Sequence, residues 1–143
     1  MSEFKKPRLG FLFMIANDLP EIRHFYTDVI GLPENSYFED DAFGWLSYHM
    51  GDLEMDWFRA DTPQAISSEW ACQPGYSGGT REVTSWAIEI EESKFEEVVE
   101  KCKEEKYPLF QEEPQFRQES YWGFTVRDPM GNTVELYYVP SKK

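Results

Sequence analysis

The secondary-structure signals of this chain run through one cycle twice, and a doubled β-α-β-β-β order leaves few architectures open. Residues 9–16 form a continuous apolar run of strand length, suited to a central strand. Asn17 and Asp18 follow as cap candidates, with Pro20 in the first turn. Ile22, Phe25, Tyr26, Val29 and Ile30 then mark one helical face, and Gly31 closes it. Residues 37–58 read as three short strands, broken near Asp40-Asp41 and at Gly51-Asp52. The cycle restarts with a strand over 83–90. A helix over 92–106 carries the stripe Phe95, Val98, Val99 and Cys102. A strand over 109–118, interrupted by Pro114, reads as an edge or a bulge.

The second cycle ends in a hairpin with a mechanism. In Asp128-Pro129-Met130-Gly131-Asn132, Asp128 can accept from its own backbone ahead, Pro129 pre-sets φ, and Gly131 supplies a positive φ. Beyond it Val134, Leu136 and Tyr138 point one way and Glu135, Tyr137 and Val139 the other. The cycles also match by residue. Gly51-Asp52-Leu53-Glu54-Met55 lies over residues 131–136 with one residue of slack, setting Glu54 opposite Glu135.

Composition narrows the partners. A formal net charge of −13 leaves no electrostatic footprint for nucleic acid or an anionic membrane. No run approaches the roughly 20 apolar residues of a membrane span, and the charged N-terminus lacks a signal-type core. A cytoplasmic protein is expected. Cys72 and Cys102 form no metal-spaced pair and read as free thiols.

The domain plan is an N-terminal arm (1–8), a first module (9–59), a linker loop (60–81) and a second module (82–140), one structural domain overall. The linker, with Pro63, Pro74, Gly78 and Gly79 around Trp70, Cys72 and Tyr76, exceeds a plain connection. It reads either as a crossover pinned by Trp70 or as a flap over a site.

Two segments resemble a known family. Asp18-Leu19 followed by Phe25-Tyr26-Thr27-Asp28-Val29-Ile30-Gly31-Leu32 looks like the first strand-to-helix segment of the vicinal oxygen chelate superfamily. That superfamily includes glyoxalase I, extradiol dioxygenases, fosfomycin-modifying enzymes and bleomycin resistance proteins. Asp128-Pro129-Met130-Gly131-Asn132 with Val134-Glu135-Leu136 looks like its last hairpin. The resemblance covers about residues 9–139. It implies an α+β fold of two βαβββ modules in tandem, forming curved sheets around a central cleft.

The family's metal ligands come one from each of four strands. The resemblance puts these positions at Phe11, at Glu54 (or Asp56 with a register shift of two), at Ser85 and at Glu135. Phe11 and Ser85 stand where the enzymes carry imidazole or amide donors, so no metal and no other cofactor is expected. His24 falls on the outer helix face, and His49 sits at a strand end. This departure resembles the family's metal-free branch, the bleomycin resistance proteins.

By strand parity the cleft would be lined by Phe11, Phe13, Glu54, Asp56, Phe58, Ser85, Glu89, Glu135 and Tyr137, an aromatic and acidic groove nearly free of base. Carboxylates in such a groove raise one another's pKa, and aromatic faces attract cations. The expected function is a small-molecule binding protein that sequesters an aromatic or cationic ligand. The alternative is a glyoxalase- or dioxygenase-like enzyme with a divergent or metal-free site around Glu54 and Glu135. A carboxylate paired with a proton donor such as Tyr137 or Tyr48 would mark the enzyme, and an open, symmetric groove the binder. A homodimer is expected, because Trp45, Trp57 and Trp70 exceed what one small core consumes.

Overall fold

The computed structural model describes residues 6–74 and 76–141, so residues 1–5 of the expected N-terminal arm lie outside the described residues. The chain forms β1 (Phe11–Ala16), α1 (Leu19–Arg23) running into a π-helical segment (His24–Ile30), β2 (Glu34–Glu39), β3 (Gly44–Met50) and β4 (Leu53–Arg59). It then repeats the order with β5 (Ser85–Glu89), α2 (Glu92–Glu104), β6 (Gln115–Arg117), β7 (Tyr121–Arg127) and β8 (Thr133–Tyr138). Each half is one four-stranded sheet, β1-β4-β3-β2 and β5-β8-β7-β6, with the first and last strands of each half parallel. This is the expected tandem βαβββ architecture. No helix among the described residues is long and apolar enough to cross a membrane.

One expectation needs correction at β1, which lies at a sheet edge rather than in the centre. Its apolar run has two different destinations. Met14 packs on the core and Ala16 is fully buried, whereas Phe11, Phe13 and Ile15 are 56%, 66% and 40% exposed.

Helix α1 starts where the sequence places a cap. The Asp18 side chain accepts from Glu21 N at 3.0 Å, satisfying an otherwise orphaned donor. The helix ends at Gly31, whose φ of 90° is the left-handed conformation that glycine adopts without strain. Between them the helix widens, and Gly31 N and Leu32 N both donate to Tyr26 O. The expected stripe Ile22, Phe25, Tyr26, Val29 and Ile30 is buried, as is Phe95, Val98, Val99 and Cys102 on α2. Full burial of side chains this size stabilises by about 1.5–3 kcal/mol each.

The modules share one core. Trp57 of β4 meets Trp86 of β5 edge-on at 6.2 Å. The Tyr26 hydroxyl donates to Asp128 Oδ2 at 2.6 Å, tying the first module's helix to the second module's turn. Asp128 Oδ1 also accepts from Met130 N (2.8 Å) and Asn132 N (3.0 Å), and Gly131 takes φ 83°. The turn thus folds as its sequence dictates and also latches the modules. Burial holds the Asp128 carboxyl above the usual range, against the pull of its hydrogen bonds from Tyr26 and Asn132.

Of the three tryptophans behind the dimer expectation, Trp45 is partly exposed and stacks on Phe43 at 6.5 Å. Trp57 is fully buried, and Trp70 packs between the Arg127 guanidinium (4.5 Å) and Phe110 (5.4 Å). Other exposed aromatic side chains are Phe11 and Phe13 on β1, stacked at 6.0 Å, and Phe38, Phe43, Tyr76 and Phe116.

Candidate functional site

Strand pairing fixes which side chains share a face. On the first sheet Phe11 stands opposite Glu54, Phe13 opposite Asp56 and Ile15 opposite Phe58, with His49, Ser47 and Trp45 continuing the rows. On the second sheet Ala87 stands opposite Glu135, Glu89 opposite Tyr137, and Ser85 opposite Thr133. Ala87, not Ser85, is therefore the register partner of Glu135. Trp57 and Trp86, which join the modules, alternate onto the opposite faces of their strands. Glu54 and Glu135 accordingly point away from the side where the modules meet.

Glu135 lies beside a cavity of ≈ 770 Å³ lined by residues of the second sheet and the linker, among them Gln73, Tyr76, Ser85, Phe110, Arg117 and Tyr121. None of Phe11, Phe13, Glu54, Asp56 or Phe58 lines it. The linker is both pinned and a wall. Ala71 N donates to Thr133 Oγ1 at 2.9 Å, Arg127 bonds the Ser68 carbonyl, and Tyr76 packs edge-on against Phe110 at 4.7 Å.

The face around Glu135 is not free of base. Arg117 reaches across β7 and ion-pairs with Glu135, while its Nη1 also donates to Thr125 Oγ1 at 2.9 Å and its Nη2 to Gln115 Oε1 at 3.2 Å. Tyr121 donates to the same carboxylate at 3.3 Å, and burial, followed by Glu135, pushes its phenol above its ordinary pKa. Gly123 makes the reach possible. A Cβ there would stand 2.9 Å from Arg117 Nη1 and 3.0 Å from Glu135 Oε2. Sequence reasoning missed Arg117. The available signal was a glycine between Trp122 and Phe124 in mid-strand, where glycine often marks a close approach. The β6–β7 turn is also strained, with Gln118 and Glu119 both at φ 53°.

The first sheet has a different chemistry. Asp56 is 1% exposed, and its Oδ1 has no hydrogen-bond partner among the described residues. Burial and then the neighbouring Glu54 carboxyl push its pKa up to about 6. Glu54 accepts from Asn35 Nδ2 at 3.2 Å and lies 4.0 Å from His49 Nδ1. Neither Tyr48 nor Tyr137 pairs with a carboxylate through a hydrogen bond among the described residues. The Tyr48 hydroxyl turns into the core against Thr27 Oγ1 (2.8 Å), and the Tyr137 ring packs edge-on against Tyr121. The phenol paired with Glu135 is Tyr121.

These residues do not fit a divalent metal. Phe11 offers no donor, Glu135 is occupied by a guanidinium, and among the described residues no three His, Cys, Asp or Glu side chains converge on one point. His24 is held instead by Asp28 (2.9 Å) and Glu105 (2.7 Å), bridging the two helices. It borders a second cavity of ≈ 710 Å³ at the module junction, which contains none of the family's ligand positions.

A family model described as Glyoxalase/Bleomycin resistance protein/Dioxygenase superfamily matches residues 8–136. Among solved structures, the chain resembles the oxidase ChaP-H2 at 15% identity and TM-score 0.66, covering 97% of this chain and 98% of that one. It also resembles the fosfomycin resistance protein FosX from Listeria monocytogenes, solved with Mn(II) and 1S,2S-dihydroxypropylphosphonic acid, at 14% identity and TM-score 0.64 over 93% of each chain. Lactoylglutathione lyase from Agrobacterium tumefaciens is similar at 18% identity and TM-score 0.59, over 94% of this chain and 96% of that one. At these identities the likeness is one of fold. No curated protein matches significantly in sequence.

Proposed function

The chain belongs to the Glyoxalase/Bleomycin resistance protein/Dioxygenase superfamily, and on that premise we propose that it is a small-molecule binding protein. Its ligand is an aromatic organic molecule held against the outward face of the second sheet. The observation that carries this reading is the ≈ 770 Å³ cavity beside Glu135, within the range of ligand pockets, with Phe110 and Tyr76 as aromatic wall and a few convergent polar groups. The expected preference for a cation finds no free carboxylate in this cavity, since Arg117 already neutralises Glu135 and a basic group would have to reach Glu54 and Asp56 on the other sheet.

The partner we propose is a second copy of the chain. The exposed row Phe11, Phe13 and Ile15 is an apolar face beside Glu54 and Asp56. Laid over the open cavity of a partner protomer, it would bring the two halves of the expected ligand set together. Sedimentation at micromolar concentration should show a dimer, and Phe13→Glu should yield monomer. A wild-type monomer under those conditions ends this part of the proposal.

The binding reading is tested by a thermal-shift screen of aromatic compounds, basic ones included, against wild type, Glu54→Gln and Glu135→Gln. Hits should stabilise the wild type. Basic hits should lose much of their effect in Glu54→Gln. A screen without hits refutes the reading.

One observation favours a second reading, a metal-free enzyme. A buried carboxyl with one oxygen free of hydrogen bonds and a pKa of about 6, as at Asp56, is suited to general acid–base work. Turnover of any hit that Asp56→Asn abolishes would establish it. Unchanged turnover in that variant would dismiss it.

A further inference from the structure

We propose that Arg117 is a resident cation in the second-sheet cavity, standing in for a metal ion, and that it selects a ligand bearing a carboxylate on a planar aromatic body. The inference rests on the small-molecule reading above and adds the ligand's charge and its anchoring residue.

Arg117 has already committed part of its donor set. A guanidinium carries five N–H donors in a fixed plane. Two from Nη1 go to Glu135 and Thr125, and one from Nη2 goes to Gln115. The Nε–H and the second Nη2 hydrogen have no protein partner among the described residues, while Arg117 lines the cavity with its side chain 16% exposed. Both free donors lie in the guanidinium plane and belong to a delocalised cation, for which an ionised carboxylate is the favoured acceptor.

The surroundings hold that guanidinium in place. Gly123 leaves room for the side chain to cross β7, and a Cβ there would stand 2.9 Å from Nη1 and 3.0 Å from Cδ. Glu135 and Thr125 fix one edge of the guanidinium from β8 and β7, and Gln115 fixes another from β6. The strained Gln118-Glu119 turn follows Arg117 directly and leads to Tyr121. A cation held this firmly needs little reorganisation on binding, which favours affinity.

A cationic ligand meets the opposite situation. Arg117 and Glu135 are the only oppositely charged groups among the lining residues, and they already neutralise each other. An ammonium would have to displace Arg117 from Glu135. A carboxylate uses donors that are free. The net charge of −13 disfavours anions at long range, but salt screens that field beyond about 8 Å at physiological ionic strength. Phe110 and Tyr76, edge-to-face at 4.7 Å, offer an aromatic wall to the body of the ligand.

The test uses three probes of one shape, 2-naphthoate, 2-naphthamide and 2-naphthylmethylamine, with calorimetric binding to the intact protein. The naphthoate should bind at least tenfold more tightly than the amide or the amine, and its affinity should fall with added salt. The double variant Arg117→Met/Glu135→Gln removes the ion pair without stranding a charge, and should lose at least tenfold of the naphthoate affinity. Gly123→Ala, which keeps both charges but pushes the guanidinium aside, should lose affinity as well. Binding of the amide or amine with the naphthoate silent retains the small-molecule reading and overturns the carboxylate assignment. Naphthoate affinity unchanged in both variants also overturns it. Silence of all three probes overturns both.

Discussion

Glu54 and Glu135 stand on corresponding faces of the last strands of two sheets of the same topology, yet they live in opposite electrostatic worlds. Glu135 faces Arg117, carried by the short edge strand of its sheet, and a glycine on the intervening strand lets that side chain through. Around Glu54, the edge strand offers Asn35 and Ser36, and Ser47 stands on the intervening strand. No guanidinium arrives, and the neighbouring carboxyl is a second acid, Asp56. The linker completes the asymmetry by walling the second sheet, while the first leaves Phe11 and Phe13 uncovered. Duplication of a module thus sets the positions of acids. The residues two strands away decide whether an acid becomes half of an ion pair or the neighbour of a second carboxyl.

The largest expected effect comes from separating the modules. Asp128→Ala leaves the Tyr26 hydroxyl buried without its acceptor and removes the turn's two backbone contacts. A loss of about 3 kcal/mol in urea unfolding is expected. A loss under 1 kcal/mol would show that the latch is not structural. Next, Arg117→Met strands a half-buried Glu135 and should cost about 2 kcal/mol, most of it recovered by adding Glu135→Gln. Glu54→Gln, the same change on the other sheet, should be neutral or stabilising. Equal losses at the two glutamates would abolish the contrast drawn above.

Asp56 sharpens the contrast through pH. Its folded pKa of about 6 lies above the roughly 3.9 of an unfolded chain, so the native state holds the proton more tightly. Its contribution to stability is complete below pH 4 and is lost as pH rises through 6. Asp56→Asn should therefore raise stability at pH 8 by about 1–3 kcal/mol and flatten the profile between pH 4 and 6. An unchanged profile would show that Asp56 ionises freely. The smallest effect belongs to His24, whose pKa is raised by Glu105 first and Asp28 second. Stability from this bridge is present at acid pH and fades above the raised pKa. Because the ring is 43% exposed, His24→Gln should cost only about 0.5 kcal/mol at pH 6, and less at high salt.

Periodicity and turn chemistry made the fold legible. The Asp18 cap, the Gly31 stop, the buried stripes of both helices and the Asp128 turn all follow from local residue types. The candidate site was legible only where a side chain's face is set by its own strand. Parity correctly placed Glu54 and Asp56 on one face of β4 and Glu135 and Tyr137 on one face of β8. It could not reveal Arg117, because its reach depends on an absent Cβ at Gly123, on another strand. Nor could it tell that the modules join through Trp57 and Trp86, on the faces opposite the glutamates. That is a choice between two amphipathic surfaces that look alike in sequence. The widened helix over His24–Ile30 carries no local mark either, since an α-helix would bury the same stripe.

The Tyr26–Asp128 bond also governs the order in which the molecule can be made. Its partners lie 102 residues apart, so a chain emerging from the ribosome completes its first helix long before the acceptor exists. Until β7 and β8 pair, the Tyr26 hydroxyl must stay hydrated and the surface around Trp57 must wait for Trp86. The first half is thus held back from finishing its core until the second half closes it. Folding should be a single cooperative event with a rate limited by this long-range closure. Two halves expressed apart would each leave unfinished an interior that belongs to both.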